Sequence, residues 1–337
     1  MTTVTVAPAT PLAPTTQRSM SARVWKWFGR YGALLVLAIL VVVTSILEPD
    51  TFPTWDNFIN VLNQSALSAV IAMGLTFALV TGEFDLSIGN IASLSGVIAC
   101  TEMVNHGLPI WLAIVLAMAV GAVIGLANGL VVTKLNVNAL VATLGIGTVA
   151  VGVNYAIAGG IPVSLKDPTS FIHLTLGRLF GIPYPVYVMF GLAAILWFVL
   201  NRTVLGQSMQ AVGGNPVAAR LSGIRIDRVR IIAFVICGIC AGITGILLAS
   251  RTGSAAVSGG DTYLLSSFAA AFFGSAVLRD GEFHVIGTVI GVITVSVGFN
   301  AIALIGLETY YQYLFQGLLL ILGVGVGSLA RRRAAQA

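Results

Sequence analysis

Charge is scarce in this sequence. Of 337 residues only 9% are Asp, Glu, Lys or Arg, while 57% are hydrophobic. Soluble domains carry roughly a quarter charged residues, so this chain cannot cover a water-facing surface of ordinary size. Lysine is scarcer still: Lys26, Lys134 and Lys166 are the only three, and none follows a glycine. A phosphate loop of the form G-x-x-x-x-G-K-[ST] is therefore absent, and the chain cannot hydrolyse ATP by that chemistry. Cysteine is limited to Cys100, Cys237 and Cys240, all inside apolar runs. The C-x-x-C of the last two lacks the polar access that zinc binding or thiol exchange needs, so it reads as a pair of small helix residues.

What fills the sequence instead is long, continuous apolar runs that do not alternate, which selects membrane helices over a β-barrel. Thirty-eight glycines agree with this, since membrane helices use glycine for close packing. Ten segments are expected to cross: 31–47, 61–81, 86–104, 110–132, 139–158, 184–201, 231–250, 262–278, 284–305 and 310–329. The fold class is thus all-α and polytopic. Residues 1–30 form a Thr/Ala/Pro-rich tail expected to be disordered, 31–330 the transmembrane domain, and 331–337 a basic C-terminus. The basic residues before the first run resemble a signal peptide, but no small-x-small cleavage site follows, so an uncleaved first span is expected.

With the N-terminus placed in the cytoplasm, fourteen of the seventeen Lys and Arg fall inside, leaving Lys166, Arg178 and Arg251 outside. The positive-inside rule therefore puts both termini in the cytoplasm of a multi-pass inner-membrane protein. The basic balance is a topology signal, and no nucleic acid is implied.

Within the ten spans, Glu102 near an end and His284 at a boundary are the ionisable Asp, Glu, Lys, Arg or His residues. Ion-coupled carriers usually bury such groups along their path, so a pore driven from outside the membrane is favoured. Asparagine in lipid must find a partner or face a watery path, which makes Asn154, Tyr155, Phe272 and Asn300 candidates for the solute path. Glycines at four-residue spacing (Gly121, Gly125, Gly129; Gly287, Gly291; Gly323, Gly327) mark close helix contacts, either within one subunit or at a homodimer seam. The tripeptide Gly82-Glu83-Phe84 recurs at Gly281-Glu282-Phe283, too short a match to establish a repeat.

The basic-side loop between Arg202 and Arg230 is the most informative stretch. Asn215 is a good N-cap, Pro216 fits the first helical position, and Gly223 suits the C-terminal turn. A short helix over 216–222 is expected. Ala218, Ala219 and Arg220 could slot into a groove on a partner, or the helix could lie on anionic lipid; the residues alone leave both open.

That loop, from Ala211 to Ile224, resembles the coupling segment of permeases in the ribose-type sugar ABC importers. Gly82-Glu-Phe-Asp-Leu-Ser-Ile-Gly89, continuing to Ser93-Leu-Ser-Gly96, is similar to the same family's G-x-x-D-L-S-x-G…L-S-G motif. Val141-Ala-Thr-Leu-Gly145 with Gly159-Gly-Ile-Pro-Val-Ser164 matches its V-T-L-G…G-G-x-P-(I/V)-S pattern. Three motifs occur in the right order; the family usually has Gly where Glu83 stands. The resemblance implies a fold like that of the cobalamin-importer permeases and a homodimer (or a pair with a close paralogue) around a central path. It also implies a two-cassette ATP-binding subunit, an extracytoplasmic solute-binding protein, and no cofactor or metal. Gly214, Asn215, Pro216, Ala218, Ala219, Arg220 and Gly223 would couple to the ATPase. Asp85, Leu86, Ser87 and Gly89 would carry the family motif, with Asp85, Ser87 and Gly89 capping or breaking the chain before the third span. The implied function is ATP-driven import of a sugar or polyol, with ribose-like pentoses foremost and no covalent chemistry. The rivals are an ion-driven carrier and a structural subunit that transports nothing.

Overall fold

A computed structural model describes residues 20–277 and 281–334, with side chains over 31–277 and 281–325. Arg279 and residues 1–19 and 335–337, on which part of the charge count and of the terminal assignments fell, lie outside the described residues. The helices run α1 (Met20–Leu47), α2 (Trp55–Val80), α3 (Ile88–His106), α4 (Ile110–Lys134), α5 (Ala139–Ala158), α6 (Thr169–Leu176), α7 (Tyr184–Arg202), α8 (Val204–Gly214), α9 (Pro216–Leu221), α10 (Ile226–Thr252), α11 (Asp261–Ser275), α12 (Val285–Leu304) and α13 (Tyr310–Ala334). Each of the ten apolar segments falls on a helix. Helix α1 reaches back to Met20 and so takes in part of the basic stretch before the first apolar run.

Six of these helices, α2, α4, α5, α7, α10 and α12, are long and apolar enough to cross a membrane among the described residues. Helix α11 has only 15 residues, short of the roughly 20 that a full crossing takes. The expected span 262–278 therefore overstates it.

Helix α10 is the axis of the molecule. Glycines bring α4 against it almost backbone to backbone: a Cβ on Gly121 would sit 2.0 Å from the Gly238 carbonyl oxygen, and one on Gly125 2.3 Å from that of Phe234. The glycines Gly287 and Gly291 do the same for α12 on α11, against Gly274 and Ala270. Gly323 packs on Phe273. These stripes serve packing inside one chain, the first of the two alternatives that spacing allowed. Buried hydroxyl and amide pairs add polar cross-links. Thr76 and Thr288 share a hydrogen bond of 2.7 Å between α2 and α12, and Thr175 and Ser250 one of 2.9 Å between α6 and α10.

Short elements fill the two long connections. Strand β1 (Val163–Ser164) pairs antiparallel with β4 (Ser254–Ala255), Val163 opposite Ala255. Strands β2 (Arg178–Leu179) and β3 (Ile182–Pro183) form a hairpin. Helices α8 and α9 occupy the other connection, at the opposite end of α10 from β4.

Candidate functional site: the capped segment and the turn beside it

The α9 segment folds as its residues dictate. The Asn215 side-chain oxygen accepts from the Ala218 N–H at 3.0 Å, and Pro216 sits at the first helical position. Gly223 adopts φ +85°, and the N–H groups of Ser222, Gly223 and Ile224 donate to the carbonyls of Ala218, Arg220 and Ala219 at 3.0 Å. That is a helix closed at both ends within six residues. Gly214 ends α8 and is exposed, with open space where a Cβ would stand.

Its faces differ from the expectation in one respect. Ala219 is 4% exposed and packs in the chain's own core with Val80, Val212, Ile226 and Val229. Ala218 and Arg220 do face outward, joined by Val217 and by Leu221 at 86% exposure. The outward apolar surface is therefore Val217, Ala218 and Leu221. On a helix, successive residues turn by about 100°, so Ala218 and Ala219 cannot share one face.

The turn from α2 to α3 lies against this segment. A Cβ on Gly213 in α8 would fall 1.8 Å from the Val80 carbonyl oxygen at the end of α2. Gly82 takes φ +83° and reverses the chain. Asp85 is fully enclosed: its Oδ1 accepts from the Ser87 N–H at 2.9 Å and from the Ser87 hydroxyl at 2.5 Å. The Asn128 amide donates to the Ser87 Oγ at 2.8 Å and reaches the carboxylate at 3.5 Å. The Leu86 N–H donates to Thr143 Oγ1 of α5 at 3.0 Å. Gly89 lets the loop before α11 approach, with the Gly260 carbonyl oxygen 2.8 Å from its ideal Cβ position. Asp85 thus holds the turn before α3 through Ser87, which stands at the N-cap position without a side-chain bond to the helix. Its complete enclosure among neutral donors is a feature that a reading of it as a helix start had missed.

Glu83, the residue without a role, sits 3.0 Å from the Arg230 Nε at the base of α10. Its carboxyl is pushed above the usual glutamate range by burial, which outweighs the opposing pull of Arg230.

The four solute-path candidates have separate surroundings on three helices. Asn154 is buried and donates to the Val257 carbonyl at 3.0 Å; Tyr155, its neighbour on α5, is exposed. Phe272 belongs to an aromatic cluster with Phe84, Phe268 and Phe283. Asn300 exchanges two hydrogen bonds with Asn57, at 3.0 and 2.8 Å, so its amide is committed to joining α12 to α2. A cavity of about 170 Å³ opens between α3, α10 and the stitched loops, lined by Ser93, Gly96, Pro162, Leu248, Thr252 and Gly259. Two of its hydroxyls already serve the protein: Ser93 accepts from the Gly260 N–H, and Thr252 donates to the Ser254 carbonyl.

Residues 57–324 match a protein family described as the branched-chain amino acid transport system permease component. Curated relatives include the ribose import permease protein RbsC of Bacillus subtilis, 36% identical over 88% of this chain and 91% of its own. Another is the RbsC of Haemophilus influenzae, 32% identical over 87% of this chain and 91% of its own. The L-arabinose transport system permease protein AraH of Escherichia coli is 32% identical over 90% of each chain. With a capped segment between long apolar helices and a family match over most of its length, the chain belongs to this family of membrane transport permeases.

Proposed function

We propose that this protein is the permease subunit of an ATP-driven importer that carries a sugar, of the ribose-like pentose class, across the cytoplasmic membrane. The observation that carries the reading is α9: a short, doubly capped helix that presents Val217, Ala218 and Leu221 to the surroundings from a bundle of apolar helices. Its relatives at 32–36% identity are named as ribose and arabinose permeases. A separate subunit with two ATP-binding cassettes would receive α9 in a groove, and a solute-binding protein would dock at the far end. Transport then needs two packings of the bundle, and the glycine contacts of α4 on α10 allow helices to slide without losing side-chain interlocking.

The same reading supplies ten crossings in the manner of the cobalamin-importer permeases, both termini in the cytoplasm, two permease copies around the path, and a lipid-facing perimeter. Supporting it, α4, α5 and α7 keep broad exposed apolar faces, while α2, α10 and α12 are largely enclosed. Tyr155 remains the solute-path candidate whose side chain is open, on the exposed face of α5.

The test is Leu221→Glu. The side chain is 86% exposed, so folding is untouched, and Glu suits a helix. A charge brought into a close-packed groove should cost a few kcal/mol, weakening attachment by about 100-fold or more. The variant should reach the membrane normally, lose ribose uptake, and fail to co-purify with the ATP-binding subunit. Normal uptake with that subunit bound would refute the coupling role of α9.

A further inference from the structure

Two charge pairs fasten the base of α10. Lys134 at the end of α4 lies 2.7 Å from Asp227, with both side chains well exposed; such a pair contributes little. The second, Arg230 with Glu83 at 3.0 Å, is enclosed, the side chains being 27% and 12% exposed. The Arg230 Nε–H is not aligned on the carboxylate, so this is a contact of charges rather than a directed hydrogen bond. Enclosed pairs of this kind are often no better for stability than apolar replacements, so stability alone does not account for it.

Its position supplies the explanation. Arg230 stands in the first turns of α10, and α9 is fixed to that base: the Ile224 N–H donates back to the Ala219 carbonyl, and Ala219 packs in one core with Ile226 and Val229. Displacing α9 therefore displaces Arg230. Glu83 stands on the α2–α3 turn, its N–H donating to the Ala78 carbonyl. The next residue, Phe84, stacks on Phe268 and Phe272 of α11 at 6.2 and 6.3 Å. The one after, Asp85, joins α3 to α4 through Ser87 and Asn128. One turn thus touches α2, α3, α4 and α11, and beside the apolar packing of Gly213 and Ala219 on Val80 a charged contact links it to the body that carries α9.

We propose that Glu83 and Arg230 are positioning residues for transport: the pair is the pin that passes a displacement of α9 to the α2–α3 turn and onward to α3, α4 and α11. This rests on the functional reading above. No covalent step is involved.

The experiment uses the full complex in lipid nanodiscs, with its ATP-binding subunit and ribose-loaded binding protein, and reads the ratio of stimulated to unstimulated ATP hydrolysis together with the melting temperature. A wild-type complex that ignores the loaded binding protein would overturn the functional reading, and the pin with it. Given wild-type stimulation, Glu83→Gln and Arg230→Gln should assemble and keep the unstimulated rate. Stimulation and uptake should each fall by about tenfold, a usual size for coupling between sites. The swap Glu83→Arg with Arg230→Glu should recover most of the stimulation. Full stimulation in Glu83→Gln, a swap no better than the single variants, or a loss that merely follows a lowered melting temperature would overturn the proposal.

Discussion

The two Gly-Glu-Phe turns share a backbone and differ in surroundings. Gly82 and Gly281 both take left-handed φ, +83° and +96°, a conformation that glycine adopts without the Cβ penalty. Both turns end on a phenylalanine against Phe272: Phe84 stacks at 6.3 Å and Phe283 meets it edge-on at 5.1 Å. The glutamates part company, Glu83 being enclosed beside Arg230 while Glu282 is exposed. The helix starts that follow differ too. Asp85 is buried among Ser87 and Asn128, whereas His284 caps α12 by accepting from the Gly287 N–H at 2.9 Å. A tripeptide suffices to reverse the chain and seat an aromatic ring; what the turn does beyond that is decided by its contacts.

The sharpest break in the comparison should come from Asp85, which holds the turn before α3, and from His284, which caps α12. Asp85→Ala strands the Ser87 N–H and hydroxyl inside the protein, at about 1–3 kcal/mol for each buried donor left unsatisfied. The variant is expected to lose most of its yield in the membrane, with Asp85→Asn recovering part of it by restoring an acceptor. His284→Ala should cost less, about 1 kcal/mol for the lost helix cap and about 1 kcal/mol for the ring's 2.7 Å bond with the Val277 carbonyl. Thermal unfolding in detergent checks both, and equal losses would mean that the two turns depend on Asp85 and His284 alike. The glycines should then behave alike: Gly82→Ala and Gly281→Ala each place a Cβ in the left-handed region, at roughly 1–2 kcal/mol. Unequal melting shifts would show that the turns share sequence but not backbone demand.

Much of this architecture is legible in the sequence, and the limits are specific. Apolar runs locate helices because hydropathy is a local property, though only six of those helices are long and apolar enough to cross a membrane among the described residues. The cap at Asn215, Pro216 and Gly223 is legible because each residue acts within its own turn. The inward face of Ala219 is not, since it depends on where α10 leaves Gly223 and which side of α9 that leaves covered. Asp85 is legible as a residue of the turn before α3, where it holds the Ser87 N–H without bonding the helix itself, but its burial depends on Asn128 and on the Thr143 bond to its neighbour Leu86. The hydrogen bonds that these two make to the turn span 43 and 57 residues of sequence, so they are neighbours only in the folded bundle. Asn300 draws notice as a polar residue in a span; that Asn57 satisfies it follows from the register of α2 against α12. The Glu83–Arg230 contact belongs to the same class, a long-range pairing with no local signal.

Acidification offers a gentler way to separate the turns. Burial leaves Glu83 with a carboxyl above the ordinary range in the folded protein. A raised folded pKa means that the native state holds the proton more tightly than the unfolded chain does. Any stability from this group is therefore complete below the unfolded pKa and is lost as pH rises through the folded one. Lowering the pH should then neutralise Glu83 and release Arg230 without destabilising this site. Stimulated ATP hydrolysis should decline on the acid side, from a pH above the ordinary glutamate range. In Glu83→Gln that acid limb should be missing. An acid limb of unchanged position in Glu83→Gln would assign the effect to another group.

The smallest effect should come from Glu282→Gln, and its smallness is the control for the pair. Glu282 follows a glycine of the same conformation and precedes a phenylalanine in the same aromatic cluster, so backbone and packing are matched to Glu83. Its side chain is exposed, so water screens its charge, and removing it returns no burial cost. Surface substitutions of this kind usually stay within about 0.5 kcal/mol. Melting temperature, unstimulated hydrolysis and stimulation by the loaded binding protein should therefore all match the wild type. If Glu282→Gln instead lowers stimulation as far as Glu83→Gln, enclosure beside Arg230 is not what distinguishes the turns. Both glutamates would then act through a surface they present to the ATP-binding subunit, and the difference between the two turns would lie in geometry alone.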